Sequence, residues 1–214
     1  MSEQLALVRT LLPHIEVVEA FVDVQEPSLV TVVEQWVAHA PVVVVPVLLS
    51  TGFHTRVDIA GVVAAHPGRA VAAGALGPHD LLALALESRL EGIDVDGDVA
   101  LVLAAAGSSE PQAARDVHRM AERLSMCLHV PVRVGFAAMS EPSIDMAVRD
   151  AREHGARRVV IASYVLTPGH FADLIASAGA DEVTAPLAPD LRIAALIAER
   201  YAEASAQLSS RTYA

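Results

Sequence analysis

The chain has a single cysteine, no long hydrophobic run and no surplus of positive charge, and each shortage excludes a class of protein. With Cys127 alone, no internal disulfide can form; a lone thiol inside the helical pattern Gln112 to Leu128 reads as a small packed hydrophobe. Apolar runs such as Val42 to Leu49 and Val99 to Ala106 stop at 8 residues, whereas crossing a bilayer takes roughly 20. No basic, apolar leader ending in small residues opens the chain, so a cytoplasmic protein without membrane contact is expected. Fifteen Lys and Arg against 26 Asp and Glu give a formal charge of -11. Nucleic acid is excluded as a partner on that balance, because binding a phosphate backbone needs clustered cations. Any site for a polyanion must then be locally basic, and Arg56 and Arg69 are the nearest candidates in the first half of the chain.

What the chain does contain is a copy of itself. Phe21-Val-Asp-Val-Gln-Glu-Pro-Ser28 returns as Phe136-Ala-Ala-Met-Ser-Glu-Pro-Ser143, with Phe136 lying 115 residues after Phe21. The run Val42 to His54 returns as Arg158 to His170, 116 residues on, and Leu76-Gly-Pro78 returns as Leu187-Ala-Pro189, 111 residues on. Self-similarity at one spacing marks a duplicated unit. At 214 residues and 53% hydrophobic, the chain can bury two lobes of ordinary domain size, expected at 1–95 and 96–214. The second repeat opens with the apolar run Asp98 to Ser108. Its counterpart in the first repeat would fall before Met1, so the first lobe is expected to lack its opening strand.

Within each repeat, apolar strands alternate with helix-length segments. In the first, Ser2 to Leu12 is helical and ended by Pro13, Ile15 to Val22 reads as a strand, and Ser28 caps a helix to Ala38. Val42 to Leu49 is a buried strand, Arg56 to Ala65 a helix, Val71 to Ala73 a short strand and His79 to Leu90 a helix. The second repeat places strands at Val99 to Ala105, Val132 to Phe136, Arg158 to Val165 and Val183 to Ala185. This alternation predicts an α/β fold of two duplicated lobes, each a parallel sheet flanked by helices. Ligands of such sheets sit beyond the carboxyl ends of the strands.

That edge receives Ser50-Thr-Gly-Phe-His-Thr-Arg-Val-Asp58, which leaves the most hydrophobic strand of the first repeat and enters a helix. His54 therefore stands at the sheet edge, with Asp58 four residues on along the same helical face. A carboxylate one turn away can hold a histidine in one tautomer as metal ligand or proton acceptor; an ordinary helix start has the same composition. Asp23 ends the preceding strand and reaches the same edge, either as a loop residue or as a carboxylate that binds a divalent cation loosely and accepts protons. The second repeat has Ala138 in that place, so the fold alone does not require the carboxylate. Glu26-Pro27-Ser28 is repeated as Glu141-Pro142-Ser143 and reads as a structural turn and helix cap. His170 repeats His54, but with Ala138 and a shifted Asp173 beside it, the second site reads as decayed.

The run VVPVLLSTGFHTRVDI, preceded by AFVDVQEPS and followed by ALGP, resembles the sirohydrochlorin chelatase family, the class II chelatases, in its long two-repeat form. The resemblance implies insertion of a divalent metal, Co²⁺ or Fe²⁺, into sirohydrochlorin for sirohaem or cobalamin, with no tightly bound cofactor. It makes His54 and Asp23 the metal ligands and catalytic residues. Arg56 and Asp58 would bind the substrate, its carboxylates taken by Arg56 and by backbone N–H groups at helix starts. The family also has a second histidine, at the end of the first strand; here that strand would precede Met1, and the second repeat reads Ala104-Ala-Ala-Gly107. Metallation strips two N–H protons from the macrocycle, and neutral imidazole and carboxylate can serve as ligand and base in turn. A few nitrogen and oxygen ligands without cysteine suit a transiently held cation better than a closed zinc site.

Three readings follow. The chain is an active chelatase, a noncatalytic tetrapyrrole- or metal-binding protein with a degenerate site, or an α/β scaffold that self-associates into a homo-oligomer to cover the open edge of its first lobe. The duplicated lobes offer a cleft suited to a flat macrocycle.

Overall fold

The apolar runs become parallel strands in the computed structural model, which describes residues 1–22, 24–52 and 54–212, the side chains of 54–56 and 209–212 excepted. In the first repeat, β1 (Val42–Val44) pairs with β2 (Ala70–Ala72), Val43 opposite Val71. In the second, β3 (Val99–Ala105), β4 (Val132–Phe136), β5 (Arg158–Tyr164) and β6 (Glu182–Val183) form a sheet in the order β4-β3-β5-β6. Val99 stands opposite Arg158 and Leu101 opposite Val132. Every pairing is parallel, which requires helical crossovers and buries both faces.

The helices are α1 (Ser2–Leu11), α2 (Leu29–Val37), α3 (Ala60–Ala64), α4 (Asp80–Arg89), α5 (Pro111–Leu128), α6 (Ile144–Glu153), α7 (His170–Ala176) and α8 (Leu191–Thr212). A π-helical turn, His54–Ile59, leads into α3. The Glu-Pro-Ser segment works identically in both repeats. Ser28 accepts from the Thr31 N–H and Ser143 from the Met146 N–H, capping α2 and α6. Glu26 and Glu141 accept from the N–H of Ser28 and Ser143 at 2.8 and 3.0 Å. The Glu-Pro peptide is cis in both copies, as are Gly77-Pro78 and Ala188-Pro189. The structural reading of that motif from sequence is the one observed.

Alternation along β3 builds two cores. Ala100, Val102 and Ala104 pack with Ile144 and Val148 of α6 and Ile175 of α7. Leu101 and Leu103 face the other way, onto Met120 and Leu124 of α5 and Leu82 and Leu86 of α4. These side chains are buried, and each of the larger ones, from Val102 to Met120, stabilises the fold by about 1.5–3 kcal/mol before entropy is counted. α4 belongs to the first repeat yet covers the second sheet. In return α8, from the second repeat, packs on α1, β1 and β2, with Ala204 and Leu208 against Val71. The two copies thus exchange their last helices.

One expected strand is different. Residues 15–22 make no ladder; Phe21 forms only an isolated parallel bridge to Ser28. β4, at the corresponding place, is held by pairing with β3, and among the described residues 15–22 have no neighbouring strand in that position. β1 is likewise 3 residues long where β5 has 7, because β5 is paired on both edges and β1 on one. Cys127 is partly buried against the larger core, as a small hydrophobe would be.

Candidate functional site

The carboxyl ends of the strands meet at the junction of the repeats. The segment leaving β1 reaches Thr51 and Gly52, and its backbone is tied to the second repeat. The Thr51 N–H donates to Oδ2 of Asp116 in α5 at 3.0 Å. The other oxygen of Asp116 accepts from the Gln112 side-chain amide at 2.7 Å, and the Arg115 guanidinium donates to Gln112 Oε1 at 2.8 Å. Asp116 is only 4% exposed. A buried carboxylate is tolerable because both its oxygens are bonded and the Arg115 charge lies one residue beyond.

A second tie lies just upstream. The Tyr164 hydroxyl, at the end of β5, donates to the Leu49 carbonyl at 3.0 Å. Burial of Tyr164, with the Asp116 charge nearby, pushes its ionisation far above the ordinary phenol range, so it acts as a fixed donor. Gly77 passes so close that a Cβ there would lie 2.3 Å from the Tyr164 hydroxyl and 2.4 Å from the Leu49 carbonyl oxygen. The loops after β3 and β4 are cross-linked as well: Ser140 Oγ donates to the Ser108 carbonyl at 2.8 Å and accepts from its N–H at 3.2 Å. Gly107, at φ +89, is pressed against Ala138, where a Cβ would overlap the carbonyl oxygen at 1.8 Å. Gly52 faces Ser108, whose Oγ would sit 3.7 Å from a Cβ at that position.

These ties set where the sequence-derived candidates lie. His54, Arg56 and Asp58 fall in the π-helical turn that directly follows the anchored segment, at the carboxyl edge of β1. Asp58 is half-buried, and the side chains of His54 and Arg56 lie outside the described residues. Asp23 also lies outside them. Among the described residues, no three His, Cys, Asp or Glu side chains come together to hold a metal. Arg69 does not serve this edge. It immediately precedes β2 and its guanidinium bonds the Val37 carbonyl at the end of α2, at the opposite end of the strands. His170 begins α7, is exposed, and has its ring 5.4 Å from that of Phe171.

Asp116, Gln112 and Tyr164 were not singled out from sequence, although α5 carried a signal. Asp116 falls in the stripe of Ala113, Val117, Met120 and Leu124, and an aspartate on the buried face of an amphipathic helix has to find a partner.

A duplicated parallel α/β protein, the segment after β1 tied to the second repeat at the carboxyl end of β5, is the class that this geometry defines. The chain belongs to the CbiX family, whose model matches residues 1–93 and 100–204, one match for each repeat. Among solved structures it is similar to SirB from Bacillus subtilis with Fe³⁺, at 22% identity and TM-score 0.75, covering 94% of this chain and 88% of that one. It is also similar to the sirohydrochlorin chelatase SirB from Bacillus subtilis subspecies spizizenii in complex with cobalt, at 20% identity and TM-score 0.70, covering 94% and 87%. A multi-domain protein from Deinococcus radiodurans, described as structurally similar to chelatases, matches at 24% identity and TM-score 0.67, over 94% of this chain and 50% of that one. At these identities the likeness is one of fold. No curated protein matches the chain. No helix among the described residues is long and apolar enough to cross a membrane.

Proposed function

We propose that the protein inserts a divalent metal, Co²⁺ or Fe²⁺, into sirohydrochlorin or a closely related tetrapyrrole, on the route to sirohaem or cobalamin, in the cytoplasm. The observation that carries this reading is the CbiX family match over both repeats. The anchoring of the His54 segment at the carboxyl edge of β1 supports it. The repeats, divided at 1–95 and 96–214, form the walls of the substrate site. The metal is a substrate and no resident cofactor is needed. His54 and Asp23 hold the incoming cation and accept the two pyrrole protons as it enters the macrocycle, because both groups serve as ligand or base at neutral pH. Arg56 engages a substrate carboxylate, and Asp58, one turn after His54, orients the imidazole.

The test follows the absorbance of sirohydrochlorin with Co²⁺ or Fe²⁺, with the chain, its His54→Ala variant and no protein. A rate above the uncatalysed background that disappears in His54→Ala is expected. Binding of the macrocycle without excess rate would assign the chain to a noncatalytic tetrapyrrole carrier.

A further inference from the structure

Where the first repeat has Asp23, the second has Ala138, and the residue that follows Ala138 is apolar and in solvent: Met139 is 67% exposed. Phe171, after His170 at the start of α7, is 36% exposed at the same carboxyl edge. A single exposed apolar side chain is ordinary on a protein surface. Met139 is set apart by its backbone, its place and its counterpart. Its backbone is left-handed, at φ +57, a conformation that Asn and Asp take far more readily than methionine. Among the described residues, the other non-glycine with positive φ is His129, which ends α5, where that conformation is an ordinary helix stop. Met139 ends no helix. Its turn is instead held from both sides, Ala138 pressed against Gly107 and Ser140 Oγ bonded to both backbone groups of Ser108. A backbone outlier over-determined by its neighbours points to a use for the residue that it displays.

The place is next to the candidate site. Ser108, bonded to Ser140, faces Gly52, two residues before His54. β4 and β5 flank β3, so the strand ends that lead to Met139 and Phe171 stand two strand spacings, roughly 10 Å, apart. The counterpart of Met139, at the 115-residue offset, is Val24, which directly follows Asp23 and is 93% exposed. Both repeats thus hold out an apolar side chain at the same point of the same loop. We propose that Met139 and Phe171, with Val24 of the first repeat, bind the apolar face of the tetrapyrrole, the second repeat holding the ring while the first handles the metal. This inference rests on the proposed function. A tetrapyrrole is a flat conjugated ring bordered by carboxylates; cationic donors can hold only its border, and a thioether and an aromatic ring suit its face. The formal charge of -11 repels a polycarboxylate from the protein as a whole, so affinity has to draw on contact that charge does not weaken.

The test uses Met139→Asn, which keeps the left-handed turn and removes the apolar contact, and Met139→Leu, which keeps apolarity and volume. Metal-free sirohydrochlorin is titrated into the intact chain and its own fluorescence followed. Met139→Asn combined with Phe171→Gln should raise the dissociation constant about tenfold, with Met139→Leu matching the parent. Val24→Gln, at a position too exposed to disturb folding, should raise it about threefold. In metal insertion, KM should rise in step while kcat stays within about twofold of the parent, because the contact is made equally in ground and transition states. Thermal melts of each variant confirm that it is folded. Unchanged dissociation constants in Val24→Gln and the folded double variant would overturn the inference and leave the proposed function standing, as would a loss in Met139→Leu equal to that in Met139→Asn. If the parent chain neither binds sirohydrochlorin nor inserts a metal, the proposed function fails and this inference falls with it.

Discussion

Arg89 and Arg200 are counterparts 111 residues apart, and each reaches across to the other's repeat. Arg89, at the end of α4, donates to the carbonyls of Pro186, Leu187 and Pro189 at 3.1, 2.8 and 3.1 Å. Arg200, in α8, donates to the carbonyls of Ala75 and Leu76 at 3.1 and 3.5 Å. The bonds fall on matching residues, since 186 and 187 correspond to 75 and 76. They fasten each exchanged helix to the loop preceding its counterpart.

Arg89→Ala should therefore cost about 1–3 kcal/mol, as charge-assisted bonds to the buried Leu187 and half-buried Pro186 carbonyls are lost, the exposed bond to Pro189 adding little. Arg200→Ala should cost less, because it bonds two carbonyls across the repeats where Arg89 bonds three, and its third bond, to Glu203 at 2.9 Å, is an exposed one within α8. Lysine at 89 should restore little, because one ammonium cannot reproduce the guanidinium fork. Urea unfolding of the three variants measures this, and an Arg89→Ala loss below that of Arg200→Ala would contradict it.

Asp116→Asn should leave the fold in place but loosen the segment that carries His54, since the amide presents only one acceptor to Thr51 and Gln112. Under the proposed function, kcat/KM for metal insertion should fall about tenfold, equivalent to one hydrogen bond of about 1.4 kcal/mol. Its role is positioning, so Asp116→Asn should lower the rate while preserving the shape of its pH dependence, whereas His54→Ala should leave no rate above background. A pH profile of Asp116→Asn beside the parent reads this directly.

Gly77→Ala should destabilise the fold by about 2 kcal/mol or more, because a methyl cannot share space with both the Tyr164 hydroxyl and the Leu49 carbonyl. Tyr164→Phe in the same background should relieve part of the cost by removing one of the two colliding atoms. Thermal melts of the single and double variants form the required cycle.

The Cys127 thiol is held protonated above its ordinary range by burial first, then by hydrogen bonding to Glu87 and its charge. Alkylation by iodoacetamide at pH 8 should be slower than for a free peptide thiol, and Glu87→Gln should speed it. An unchanged rate in Glu87→Gln would show that Glu87 does not govern the thiol.

Asp181 is held below the usual carboxylate range chiefly by the Val159 N–H at 2.7 Å, with Arg152 and Arg158 assisting. A depressed folded-state pKa contributes stability above the unfolded value of about 3.9, and that contribution fades as pH falls through the folded pKa. Asp181→Asn should consequently be less stable than the parent at pH 6, by a gap that narrows as pH falls below the unfolded value toward pH 2. Chemical unfolding at the two pH values gives the comparison; a constant gap would point to lost packing instead.

The strands of the second lobe were legible because β-branched runs such as Arg158 to Tyr164 are bounded by loop residues and buried on both faces, which leaves little else for them to form. The caps at Ser28 and Ser143 were legible because capping is local. Residues 15–22 have the composition of a strand yet do not form one; pairing is decided by a neighbour, which composition does not report. The self-alignment was also one residue out in β1. Leu76 N–H meets the Leu48 carbonyl where Leu187 N–H meets that of Val165, so Leu48 matches Val165 and the gap falls in the loop that follows. At the site, the edge bearing His54 followed from strand order, whereas the hold of Asp116 on Thr51 joins residues 65 positions apart that no local pattern connects.

The helix exchange bears on how such a duplication can evolve. A copy that lends its last helix to its twin and depends on one in return cannot be deleted without exposing its partner's core. The second repeat can accumulate changes in its loops, such as Ala138 where the first has Asp23, yet α8 must persist because β1 and β2 rest on it. Redundancy that began as a spare has become mutual obligation, and a split gene would yield two fragments that each expose leucine-rich surfaces until they meet.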